Sequence, residues 1–180
     1  RLLTLTGPGG VGKTRLAIAA AAEVASDVPD GVVFADLSPV TNPDLVSTTI
    51  ARSLGLRDTG TDAPRDRVVT AIADRNLLVL LDNFEQVVVA APWLRHLLDA
   101  CPGVTLLVTS RTRLRISGER EFSVDPLPLD VPAGIEDGDA SGAMRLFFER
   151  ARAIQPDFGP SDETMPAVAG IVRRVDGLPL

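Results

Sequence analysis

Lysine is almost absent from this 180-residue chain: Lys13 is the only one, and every other basic side chain is arginine. Aromatic residues are nearly as scarce, at 4%, so a chain that is 45% hydrophobic must build its core from Leu, Val, Ala and Ile. Such a core suits a parallel α/β sheet with helices on both faces. With one cysteine, Cys101, there is no internal disulfide, which fits a reducing, cytoplasmic setting. We expect Cys101 to pack near the end of a helix rather than to react. No apolar run is long enough to cross a bilayer, and no charged-then-apolar leader opens the chain. An excess of positive charge is missing too. The formal net charge of −6 argues against broad electrostatic capture of nucleic acid. The length allows one core and a small appendage. Because the chain opens almost directly on a strand, we expect it to be a piece of something longer.

What is present begins with the lone lysine. It lies in Gly7-Pro8-Gly9-Gly10-Val11-Gly12-Lys13-Thr14, an uninterrupted G-x-x-x-x-G-K-[ST] match. Glycines at 7, 9, 10 and 12 let successive backbone N–H groups turn inward around phosphate oxygens. The positive end of the helix that follows adds to that cradle. A compact ammonium on a slim stem reaches between β- and γ-phosphates where a broad guanidinium does not fit. Lys13 is thus the phosphate lysine, and the Thr14 hydroxyl a magnesium ligand. Arg15 is expected to point away. Nucleotide binding is the reading, with ATP or ADP and Mg2+ as ligands.

The hydrophobic pattern supplies the context that such a loop needs. Leu2–Thr6 reads as a strand, and Thr14 to about Ser26 as a helix with Leu16, Ala20 and Val24 on one face. Val32–Asp36 is a second strand, followed by helices from about Pro43 to Leu54 and from Pro64 to Asp74, with a polar connection at Gly55–Ala63. Asn76–Asp82 is a continuous apolar run, the signature of a central strand buried on both faces. Ala91–Ala100 carries Trp93/Leu97 and Leu94/Leu98 at i,i+4, a core-facing stripe. Val104–Ser110 and about Glu121–Val124 complete the strands. These elements form a nucleotide-binding domain over 1–124. A Pro-, Gly- and Asp-rich linker over 125–140 leads to a truncated helical subdomain over 141–180. There, Ser141 caps a helix to about Ile154, and Thr164–Val175 is a second helix that Gly177 ends. Met144, Phe147 and Phe148 either pack against the sheet domain, the favoured reading, or form a surface for other domains or another subunit.

Four further residues carry chemistry. Asp82 ends the buried strand, where ligands collect in an open parallel sheet, and can hold magnesium directly or through water; the plainer reading is a strand-end cap. Hydrolysis needs a group that orients water on the γ-phosphate. Asn83 stands where an acid would suit, and Glu85 lies three residues past Asp82. It is either that catalytic group or a solvated loop residue. Arg111, after Thr109-Ser110, emerges at the same edge and either detects the γ-phosphate or pairs with Glu119 or Glu121. His96 packs or faces water on its helix.

Several landmarks coincide in order: LTGPGGVGKT, LLVLLDNFE, LLVTSR and the terminal GLPL at 177–180. Together they resemble the NB-ARC-like nucleotide-binding domain of the signal-transduction ATPases with numerous domains (STAND), as in large bacterial LuxR-type and antibiotic-regulatory-protein-type transcriptional regulators. The resemblance covers nearly the whole chain. It implies a three-layer P-loop NTPase fold with a five-stranded parallel sheet in the order 5-1-4-3-2, followed by the start of a small helical subdomain. It also implies an ATP/ADP switch in which Lys13, Thr14 and Asp82 touch phosphate and magnesium, Arg111 senses the γ-phosphate and Pro179 lies against adenine. Partners would be other parts of the polypeptide, namely sensor repeats and a DNA-binding or cyclase output domain, together with a nucleotide-dependent oligomer. Two features depart from the pattern. Asp82-Asn83 replaces a pair of acids, which points to slow or absent hydrolysis, and the segments that usually flank the base are missing.

The competing function is a phosphotransferase acting on a small acceptor, with Arg111, Arg113, Arg115 and Arg120 imitating a lid. A nucleic-acid contact by the same arginines is opposed by the interleaved Glu119 and Glu121 and by the lack of stacking aromatics.

Overall fold

A computed structural model describes residues 1–57, 63–129 and 141–179. Two compact units form: Arg1–Gly7 with Lys13–Val124, and Pro8–Gly12 with Asp125–Leu180. Most of the 125–140 linker and part of the 55–63 connection lie outside the described residues.

In the first unit, β1 (Leu2–Thr6), β2 (Val32–Asp36), β3 (Leu77–Asp82), β4 (Val104–Thr109) and β5 (Glu119–Ser123) form one parallel sheet in the order β2-β3-β4-β1-β5. This is the expected 5-1-4-3-2 order and a P-loop NTPase fold. The interior position of β3, between β2 and β4, explains its unbroken apolar run, for all six residues are buried. β5 starts two residues before the expected Glu121, with Leu2 opposite Glu119. Its Glu-Arg-Glu opening reads as loop because the strand is an exposed edge, where charged side chains are tolerated and deter edge pairing.

Helices α2 (Leu45–Ser53), α3 (Pro64–Ile72) and α4 (Ala91–Ala100) cover one face of the sheet and enclose the larger core. Phe84, Ile50, Leu81 and Leu94 are wholly buried there, each worth about 1.5–3 kcal/mol of transfer free energy. The Trp93, Leu94, Leu97, Leu98 stripe is buried as its spacing predicts. Cys101 follows α4 fully buried, while His96 is exposed. The guanidinium of Arg1 donates to Leu98 O at 2.7 Å and Cys101 O at 2.9 Å, which satisfies carbonyls at the end of α4 and opposes its dipole.

The other face carries α1 (Lys13–Glu23), and here the expected apolar row is wrong. Leu16 and Val24 are 40% and 41% exposed, whereas Ala17 and Ala21 are buried against Leu5, Leu78, Leu80 and Leu107. The face of α1 turned to the strands is thus its alanine row, and the bulkier Leu16, Ile18 and Val24 are left half-exposed.

The second unit contains α5 (Gly142–Ile154) and α6 (Thr164–Arg174). Ser141 Oγ accepts the Met144 N–H, the cap that the sequence indicates. Ser161 and Thr164 exchange side chain-to-backbone bonds of 3.1 and 2.8 Å at the start of α6, a reciprocal cap that sequence reading overlooked. Met144 and Phe148 are buried with Val168 and Val172 of α6, so this unit has its own core, with Leu127, Leu129 and Phe158 packed around it. The apolar stripe of α6 supplies the partner that the sequence reading had assigned to the sheet. Gly177 ends this helical pair at φ 68°, and its carbonyl accepts the Leu127 N–H at 3.0 Å. A Cβ there would lie 2.3 Å from Leu127 O.

Gly177→Ala therefore combines left-handed strain with a backbone clash and should cost the helical unit about 2 kcal/mol or more. Urea unfolding followed by far-ultraviolet circular dichroism measures it; an unchanged midpoint would contradict this packing.

Candidate functional site

The C-terminal ends of β1, β3 and β4 are neighbours in the sheet, so Gly7, Asp82 and Thr109 meet at one edge. The glycine loop leaves β1 with positive φ at Gly10 (77°) and Gly12 (97°), conformations that side chains rarely adopt. Val11, in the middle of the loop, is buried. Lys13 follows as the first residue of α1 and is 8% exposed. Its Nζ donates to Gly7 O at 2.9 Å. Burial lowers the lysine's pKa, Glu85 and Asp82 oppose that loss of charge, and Arg111 adds to it. Arg15 is exposed, as expected.

Asp82 is the centre of a tight polar network. Its Oδ1 accepts the Thr14 hydroxyl at 2.7 Å and the Thr109 hydroxyl at 2.6 Å. Thr109 Oγ1 in turn accepts the Asn83 backbone N–H at 2.9 Å. Asn83 sits in the left-handed region at φ 61°, ψ 48°. The chain turns sharply there, and the Asn83 amide comes within 3.4 Å of Asp82 Oδ2. Asparagine is one of the few residues that tolerates this conformation. Thr109 is the functional residue that sequence reading missed. A hydroxyl closing a buried strand beside the Asp82 strand was the available signal.

One carboxylate and one hydroxyl in contact make a donor set suited to Mg2+, which keeps several waters and phosphate oxygens in its shell. Among the described residues no cluster of three or more His, Cys, Asp or Glu side chains could cage a metal alone. Thr14 and Asp82 fit magnesium on that ground, and Lys13 with the loop fits phosphate.

Arg111 and Glu85 are brought together, contrary to the pairing weighed from sequence. Arg111 Nε donates to Glu85 Oε1 at 3.1 Å. Glu119 instead accepts the backbone N–H groups of Leu114 and Arg115, each at 2.8 Å. Glu121 takes Thr6 Oγ1 at 2.7 Å and Arg113 Nε at 3.2 Å. With its own turn and neighbour to hold, neither acid is left for Arg111. Glu85 begins its approach in a 3-10 stretch, Phe84–Ala90, that the sequence pattern did not reveal.

Within the second unit, Pro179 lies beside the glycine loop: a Cβ on Gly12 would be 3.8 Å from Pro179 Cγ. Pro179 also lines an apolar cavity of about 410 Å³, with Leu178, Phe147 and Val172 among its walls.

The profile of the AAA domain family matches residues 1–121. The chain belongs to the AAA domain family. This AAA domain is 40% identical, over its whole length, to a Mycobacterium tuberculosis protein provisionally named an HTH-type transcriptional regulator, of which it spans only 19%. It is 35% identical over 61% of its length to the regulatory protein AfsR of Streptomyces griseus, of which the match covers 12%. Among solved structures it resembles Cdc6p of Pyrobaculum aerophilum (TM-score 0.57, 18% identity, 85% of this chain and 43% of that one). It also resembles a STAND protein with a tetratricopeptide repeat sensor from Pyrococcus horikoshii (TM-score 0.53, 16% identity, 99% and 26%). The structural likenesses bear on fold, the sequence relatives on family. Among the described residues no helix is long and apolar enough to cross a membrane.

Thr109→Val keeps the shape of the side chain but removes a donor to Asp82 and the acceptor of the Asn83 N–H. It should cost about 1–3 kcal/mol in chemical denaturation. A loss below about 0.5 kcal/mol would mean that water replaces the hydroxyl at no cost.

Proposed function

We propose that this chain is the ATP/ADP-binding switch module of a multidomain transcriptional or signalling regulator, of the NB-ARC kind found in STAND proteins. The observation that carries the reading is the Thr14–Asp82–Thr109 network beside a buried Lys13, at the sheet edge where the glycine loop leaves β1. In this reading Lys13 and the backbone N–H groups of Gly7–Thr14 hold the phosphates, and Thr14 and Asp82 hold magnesium. Magnesium, when bound, neutralises charge on the phosphate oxygens. The resemblance also implies that Pro179 lies against the adenine. Arg111 reads the γ-phosphate with a charge-assisted hydrogen bond.

Hydrolysis is slow or absent in this view. Asn83 has no carboxylate with which to take a proton from water. Glu85, the remaining candidate for that role, already has one oxygen engaged by Arg111. Binding therefore acts by shifting conformational populations, and the free-energy difference between ATP and ADP lies in contacts to the γ-phosphate. Support for a regulatory setting comes from the relatives, one named as an HTH-type transcriptional regulator and one as a regulatory protein, both much longer than this chain. Sensor and output functions, including any contact with DNA, belong to other parts of such a polypeptide. A cytoplasmic location and nucleotide-dependent assembly go with the same proposal. The phosphotransferase alternative gains nothing from the structure, since two of its supposed lid arginines, Arg111 and Arg113, are paired with Glu85 and Glu121.

Calorimetric titration with Mg-ATP and Mg-ADP tests the reading. Lys13→Ala should weaken both nucleotides by at least about tenfold while leaving the melting curve intact; retained affinity would refute the phosphate site. Arg111→Ala should weaken ATP and spare ADP, whereas equal losses would remove it as a sensor.

The pH dependence carries its own sign. Phosphate favours the charged lysine, so affinity should fall as pH rises through the Lys13 pKa. Because burial lowers that pKa, the fall should begin below the range of an ordinary lysine. A flat affinity across that range would show that the ammonium does not contribute.

A further inference from the structure

We propose that Glu85 stands in for the γ-phosphate: its carboxylate holds Arg111, and Arg111 must leave it before the site can tell ATP from ADP. This deepens the switch reading above and rests on it.

The two partners are held very differently. The Glu85 side chain is 19% exposed and enters from a short helical stretch anchored by the wholly buried Phe84 and Val87. Arg111 is 66% exposed on the turn after β4. The acid is fixed, and the arginine is the member that can swing.

The pair is also incomplete. Glu85 Oε1 receives Arg111 Nε, while Oε2 is buried without a hydrogen-bond partner. A buried carboxylate oxygen left unsatisfied is costly, and a purely structural ion pair would be expected to close it with a second N–H from the same guanidinium. Arg111 engages by one nitrogen only, a grip that is easily exchanged.

Lys13 feels both partners, Glu85 favouring its charge and Arg111 disfavouring it. All three charges thus lie within electrostatic range of one another at the end of the sheet where the phosphates are proposed to sit. Glu85 there balances Lys13 and Arg111, two cations gathered for an anion. An arriving γ-phosphate offers Arg111 a competing set of oxygens, whereas ADP leaves it on Glu85. The hold on ATP is then the phosphate contact minus the Glu85 contact, and Glu85 sets the ATP level at which the switch responds.

A double-mutant cycle on the full-length protein, stripped of nucleotide and titrated with Mg-ATP and Mg-ADP, decides the matter. Glu85→Gln should tighten ATP by about three- to tenfold and alter ADP by less than about twofold. Glu85→Asp, which keeps the charge but shortens the reach, should shift ATP in the same direction. In the Arg111→Ala background neither substitution should change ATP affinity. A gain that is equal for both nucleotides, or that persists without Arg111, would show general charge repulsion and overturn the proposal. So would weaker ATP binding in Glu85→Gln, which would make Glu85 a supporting contact. If Arg111→Ala alone fails to separate ATP from ADP, the sensor reading itself falls and takes this inference with it. If Arg111→Ala separates them and Glu85→Gln does nothing, only the stand-in role is lost.

Discussion

One carboxylate oxygen ties the first unit's working edge together. Asp82 Oδ1 accepts hydroxyls from Thr14 at the start of α1 and from Thr109 at the end of β4, and the second hydroxyl accepts the Asn83 N–H. Two segments are tied to the end of β3 by a single acceptor on a residue that is 4% exposed. Buried charge is tolerated only when its hydrogen bonds are made, so displacement of any one segment exposes the others to that cost. The sheet delivers Asp82 to this place through the unbroken apolar run of β3.

Much of this arrangement could be read from residue order. The lone lysine with its glycines, the apolar β3 and the i,i+4 stripe of α4 each carry a local signal strong enough to survive folding unchanged. What could not be read depends on distance between elements. The buried face of α1 was misassigned because periodicity favours the larger apolar residues, while the face turned to the strands is its alanine row. β5 was shortened because edge strands accept charge, so hydropathy is silent about its first residues. The partner of Arg111 was misjudged for the opposite reason. Glu119 and Glu121 are near in sequence, but backbone N–H groups and Arg113 occupy them, and Glu85 arrives from 26 residues away. Thr109 was overlooked because a threonine that ends a strand has no motif of its own.

The charge pattern at the edge is economical. Lys13, Arg111, Asp82 and Glu85 are two cations and two anions, so the site needs no net charge from outside to be stable. The left-handed Asn83 belongs to the same economy. It provides the sharp exit from β3 that leads to the buried Phe84 and to Glu85.

Trp93 gives the first unit an optical identity of its own. It is 7% exposed on α4 with its indole N–H buried and unpartnered, it is the single tryptophan, and the chain contains no tyrosine. Near-ultraviolet emission therefore originates almost wholly in the sheet unit. The α5–α6 pair, whose aromatic residues are Phe147, Phe148 and Phe158, is nearly dark at those wavelengths. Fluorescence consequently follows the sheet unit alone, whereas helical dichroism sums α1 to α4 with α5 and α6. Any interval between the two unfolding curves shows that the sheet unit and the helical pair do not unfold in a single step.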